Sequence, residues 1–204
     1  MLKTLTPPAV DVEPTWDIAN LFPAQGQWDV EEYLALDSNH LIEFSNKNLE
    51  VLPMPTWSHQ RLVIVLFQLL AQFVSRQHLG EVILAPLRIQ LWPGKFREPD
   101  IVFMLIEHAD RRGEDFWRGA DLVMEIVSPT DRQRDLVTKR REYALAGIPE
   151  YWIVDGEQQS IIVLTLAGES YQVHGAFEPG QQADSVLLPG FVIDVAEVFA
   201  AARA

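Results

Sequence analysis

The chain of 204 residues contains no cysteine. Disulfides and thiolate metal sites are therefore excluded, and a cytoplasmic location is expected. No apolar run reaches the ~18 residues a membrane span needs. Residues 1–14 have one lysine, several prolines and no apolar core segment, so they do not read as a signal peptide. Positive charge is also scarce: 16 Lys and Arg stand against 29 Asp and Glu, a formal net charge of −13. Bulk attraction to a polyanion is absent, and any nucleic-acid contact must use a local basic patch or a bound cation. His40, His78, His108 and His174 lack ligand spacing, and no glycine-rich phosphate loop or nucleophile elbow is present.

What is present is enough apolar sequence, 48% of residues, for one domain with a substantial core. We read residues 1–27 as an N-terminal arm and residues 28–204 as the domain. Asp29 is placed to cap a helix through Leu36. Residues 40–44 and 49–52 form a hairpin around Asn46-Lys47-Asn48. Ser58 would cap a long helix with Leu62, Leu66, Leu69, Leu70 and Phe73 at helical spacing, and Gly80 would end it. Strands are expected at 82–85, 87–91, 100–104, 122–127 and 151–154, with an outer β segment at 161–166, 171–174 and 191–193. Residues 107–119 read as a loop. A helix capped by Asp131 runs to about Ala146, where Gly147 ends it, and an alanine-rich helix closes the chain. This order gives an α/β (α+β) architecture, a mixed sheet flanked by helices.

The chemistry concentrates in two acidic strands and one helix. Alternation puts Asp121, Val123, Glu125 and Val127 on one strand face and Leu122, Met124 and Ile126 on the other. Glu125 is thereby buried, which demands a partner. Asp100 opens the neighbouring candidate strand. Two converging carboxylates suit Mg²⁺ or Mn²⁺. On the next helix Leu136, Lys139, Tyr143 and Ala146 share a face, which turns Lys139 inward one turn after Asp135. The plain alternatives are a structural ion pair for Glu125, an ordinary strand-edge acid at Asp100, and a solvated Lys139–Asp135 pair. His59 reads either as a polar first-turn residue or as an aid to metal or phosphate binding. Arg132, Arg134, Arg140 and Arg141 form the densest basic stretch, either a phosphate-contacting surface or a solvated helix face.

Glu98-Pro99-Asp100, then Asp121 through Pro129 with Glu125, Ile126 and Ser128, then Arg134-Asp135-Leu136 with Lys139 and Tyr143, then Gly147-Ile148-Pro149-Glu150-Tyr151-Trp152 form an ordered pattern. It resembles the bacterial restriction-endonuclease family, the Uma2-like proteins, of the PD-(D/E)xK nuclease superfamily, over about residues 28–200. The resemblance implies a restriction-endonuclease-like fold and metal-dependent cleavage of DNA. It matches Asp100 and Glu125 to the metal-binding acids, with the Ile126 carbonyl as a further ligand. Val127 holds the superfamily's usual lysine position, and the amine is supplied by Lys139. Glu43 matches an extra acid donated by an N-terminal element, and His59, Ser128, Asp135 and Tyr143 are auxiliary candidates. A homodimer is expected because cutting a duplex takes two cuts. The alternative is a catalytically inactive nuclease fold that serves as a nucleic-acid or protein interaction module.

Overall fold

The computed structural model describes residues 22–37, 40–128 and 132–203. Helix α1 (Val30–Leu34) begins where expected: the Asp29 side chain accepts from the Glu32 amide, and Glu32 reaches back to the Asp29 amide. It ends before Leu36 because the Leu36 amide bonds to the Tyr33 carbonyl, a tighter closing turn. Strands β1 (Ile42–Ser45) and β2 (Asn48–Val51) pair as the expected hairpin. Asn46 and Lys47 both take positive φ, the twist that a two-residue turn needs.

The long helix, α2 (Trp57–Gln77), is capped by Thr56 and not by Ser58; the Thr56 hydroxyl accepts from the His59 amide at 3.2 Å. Leu62, Leu66, Leu70 and Val74 form its buried row at intervals of four, which leaves Leu69 half outside. The helix ends at His78 in the left-handed conformation. Gly80 has another task. It opens β3 (Gly80–Leu84) so close to the neighbouring strand that a Cβ would lie 2.1 Å from the Met104 carbonyl oxygen.

Strands β4 (Ile89–Trp92) and β5 (Lys95–Arg97) precede β6 (Ile101–Leu105). The expected loop after β6 is ordered by contacts that local sequence does not show. It holds a 3-10 turn (Ile106–Arg111) and a short strand, β7 (Trp117–Arg118). Arg112 donates to the Met104 and Leu105 carbonyls and lies over the Trp117 ring. Strand β8 (Leu122–Ile126) is followed by a π-helical segment (Arg134–Lys139) that runs into α3 (Arg140–Leu145). Asp131, the expected cap, lies outside the described residues. Gly147, at φ +75°, ends this helix as expected. Strands β9 (Glu150–Asp155), β10 (Ser160–Ala167), β11 (Ser170–Phe177), β12 (Gln182–Asp184) and β13 (Val192–Asp194) lead into helix α4 (Val195–Ala201).

The mixed α+β architecture is divided over three sheets. The largest has the order β11-β10-β9-β8-β6-β3; β2-β1-β5-β4-β7 form a second, and β12-β13 a small third. Strand β8 is central, parallel to β9 and antiparallel to β6. Leu122, Met124 and Ile126 face a core built with the α2 row and Val195, Val198 and Phe199 of α4. Val123 and Val127 face a second core with Tyr143, Tyr151 and Ile153. Both faces of the strand are therefore dry, as its near-continuous apolar sequence requires.

Candidate active site

Pairing brings the two acids together. Ile101 of β6 lies opposite Met124 of β8 in an antiparallel ladder, so one further step sets Asp100 across from Glu125. The Ile126 amide donates to Asp100 Oδ2 at 2.8 Å, which locks the two strand ends. Glu125 is buried, and both its oxygens are held. The Tyr143 hydroxyl donates to Oε1 at 2.5 Å, and Lys139 Nζ lies 2.8 Å from Oε2.

The helix face behaves as its spacing predicts. Asp135, Lys139 and Tyr143 are all buried. Lys139 also lies 3.2 Å from Asp135, so the lysine joins Asp135 and Glu125 in one buried group, and the solvated alternative is excluded. Asp135 accepts from the Ser128 amide at 3.3 Å, and its carbonyl accepts from the Tyr151 hydroxyl at 3.0 Å. The π-helical turns that carry Asp135 and Lys139 are a feature often found at functional sites.

Electrostatics distinguish this group from a closed ion pair. Asp100, Glu125 and Asp135 gather three carboxyl groups around one buried ammonium, with the His59 ring beside Asp100. Burial pushes the Glu125 carboxyl up, to about 8, and nearby Asp100 and Asp135 push the same way against the pull of Lys139. Burial alone would lower the Lys139 pKa, but Glu125, Glu43, Asp135 and Asp100 overcome it and keep the ammonium charged.

Glu43 sits one layer back. It is wholly buried on β1, and its carboxylate pairs with Arg97 and Arg134 and accepts from the Glu98 amide at 3.2 Å. Arg97 and Arg134 also reach Glu50, at 2.6 and 2.8 Å, while Arg97 and Lys95 hold Glu142 at 2.7 Å each. Burial opposes ionisation of Glu43, but Lys139, Arg97 and Arg134 outweigh it and hold the carboxyl down at about 2. Glu43, Glu50 and Glu142 thus balance Lys95, Arg97 and Arg134, in contrast to the inner group.

His59, on the first turn of α2, places Nε2 3.3 Å from Asp100 Oδ2. The basic stretch is dispersed. Arg132 pairs with Asp155 at 2.5 Å, Arg140 donates to the Tyr171 carbonyl at 3.1 Å, and Arg134 belongs to the Glu43 network. Arg141 is exposed.

Sequence reasoning missed the cations of Glu43. The alternation of Lys95 and Arg97 along a short strand was the available signal. It also missed the role of Asp121, which is buried but turned away from Glu125's partners. Asp121 accepts from the Leu105 amide at 2.8 Å and meets His108 Nδ1 at 2.8 Å, which ties the 3-10 turn to the start of β8. Among the described residues, no three His, Asp or Glu side chains already converge as a metal cage, because Glu125 is turned onto Tyr143 and Lys139.

The sequence matches the Uma2 family, described as "Putative restriction endonuclease", over residues 30–196. The chain belongs to the Uma2 family. The crystal structure of a "putative nuclease" from Anabaena variabilis shares this Uma2 chain's fold. The TM-score is 0.70 at 18% sequence identity, covering 84% of this chain and 97% of that one. Among proteins of curated function no match is found. No described helix of this family member is long and apolar enough to cross a membrane.

Proposed function

We propose that this Uma2 protein is a divalent-metal-dependent endonuclease that hydrolyses phosphodiester bonds in DNA. The observation that carries the reading is the convergence of three acids, Asp100, Glu125 and Asp135, on the single buried ammonium of Lys139. The donors fit a hard divalent cation in kind: two carboxylates and the Ile126 carbonyl at one strand end. Mg²⁺ or Mn²⁺ bound there would polarise a phosphoryl oxygen and acidify a water.

The chain's own groups do the rest. Asp100 and Glu125 supply the binding oxygens, and Tyr143 fixes the direction of Glu125 through its hydroxyl. The Ser128 amide and Lys139 hold Asp135, so the lysine cannot swing outward. The Lys139 ammonium, kept charged, orients the attacking water and offsets the charge that builds on the phosphoryl oxygens. Glu43 acts as a positioning residue: its charge adds to the field on Lys139, and its carboxylate anchors Arg97 and Arg134. Arg140 and Arg141 are the arginines assigned to phosphate contacts, with Arg132 and Arg134 held on carboxylates behind them. Cleavage of both strands requires two such sites, which a homodimer provides.

A second reading has its own support. Both Glu125 oxygens are satisfied within the protein, and two of the four arginines are engaged by carboxylates. A fold so arranged can serve as a non-catalytic nucleic-acid or protein interaction module. Incubating supercoiled plasmid with the protein and Mg²⁺ or Mn²⁺, alongside the Glu125→Ala variant, separates the two. Cation-dependent nicking by wild type alone supports the nuclease. Equal traces from both proteins favour the module.

A further inference from the structure

His59, beside Asp100, has no task in the proposed mechanism. Its place is fixed by the backbone. The Thr56 cap holds the His59 amide at 3.2 Å, and Leu62 and Val63, three and four residues on, are buried in the core. The imidazole therefore stands at the strand ends without any movement of α2. Its Nε2 faces Asp100 Oδ2 at 3.3 Å, one of the three groups assigned to the cation. Its other nitrogen, Nδ1, is buried with no hydrogen-bond partner. No second bond within the protein orients the ring, so the fold gains little from an imidazole at this position beyond the nitrogen turned to the acid.

The separation itself is informative. Two ligand atoms about 2.1 Å from a shared ion stand about 3.0 Å apart at a right angle and about 3.4 Å apart at a tetrahedral angle. The 3.3 Å between Nε2 and Oδ2 falls within that span.

We propose that His59 is a direct nitrogen ligand of the cation bound by Asp100, and that the site takes Mn²⁺ and its later first-row neighbours in preference to Mg²⁺. This rests on the reading of the pocket as a cation site. An all-oxygen shell suits Mg²⁺ and Mn²⁺ alike, whereas imidazole favours the transition ion, which releases water more readily for a nitrogen donor.

The test uses the full-length protein loaded with Mn²⁺. Electron spin-echo spectra of bound Mn²⁺ report a coordinated imidazole through ¹⁴N modulation, and wild type is expected to show it. His59→Gln, whose amide can still donate to Asp100, is expected to lose the modulation. It should also bind Mn²⁺ about tenfold or more weakly, with Mg²⁺ affinity changed much less. The wild-type spectrum decides the point even where a variant folds poorly. Mn²⁺ held in an Asp100-dependent way without ¹⁴N modulation overturns the role of His59 and leaves the cation site standing. No bound Mn²⁺ at all overturns both.

Discussion

Replacing Glu43 by Gln should remove a specific part of the protein's resistance to acid. The Glu43 carboxyl titrates at about 2 in the folded chain, against an ordinary value of 4.5. Burial works against its ionisation, and Lys139, Arg97 and Arg134 overcome that cost. At about 1.4 kcal/mol per pH unit, the difference amounts to about 3 kcal/mol of folding stability. The folded value is depressed, so this contribution is fully present above about pH 5 and disappears as the pH falls from about 4.5 toward 2. Near neutrality Glu43→Gln should cost about 3 kcal/mol or more, since Arg97 and Arg134 then share one fewer buried carboxylate. Urea unfolding of both proteins, followed by circular dichroism across this pH range, measures the gap directly. The gap should narrow steadily in acid. A gap of constant size from about pH 7 to about pH 3 would refute the claim that the two arginines and Lys139 hold Glu43 ionised.

Other substitutions probe the remaining parts. Tyr143→Phe removes the hydroxyl from buried Glu125 and should cost about 1–3 kcal/mol in denaturant unfolding. Gly80→Ala should destabilise by about 3 kcal/mol or more, because the new methyl meets the Met104 carbonyl; an unchanged melting temperature would contradict that packing. Lys139→Met should slow plasmid cleavage by about 10²-fold or more while Mn²⁺ binding persists, as measured by gel assay and calorimetry.

Much of this was legible because burial and periodicity act locally. The apolar run from Leu122 to Ile126 announced a strand covered on both sides, so Glu125 inside it had to have partners. The spacing of Leu136, Lys139 and Tyr143 then turned the lysine inward, where the structure finds it. Other features depend on distant chain and leave no local trace. Arg97 lies 54 residues from Glu43, and Arg134 lies 91, so no window of sequence joins them. Thr56 prevailed over Ser58 as cap by a shift of two residues, which pattern reading does not resolve. Gly80 looked like a helix end, but its constraint is the Met104 carbonyl on a strand paired later. The order in residues 106–118 comes from Arg112 and Asp121 reaching across to β6 and the 3-10 turn.

Calorimetric titration of Mn²⁺ into wild type, Asp100→Asn and Glu125→Gln probes most directly whether the three acids around Lys139 require a divalent counter-charge. Saturable uptake of one ion per chain, abolished in either variant, is the predicted result. Heats that are absent in wild type, or identical in all three proteins, would contradict it.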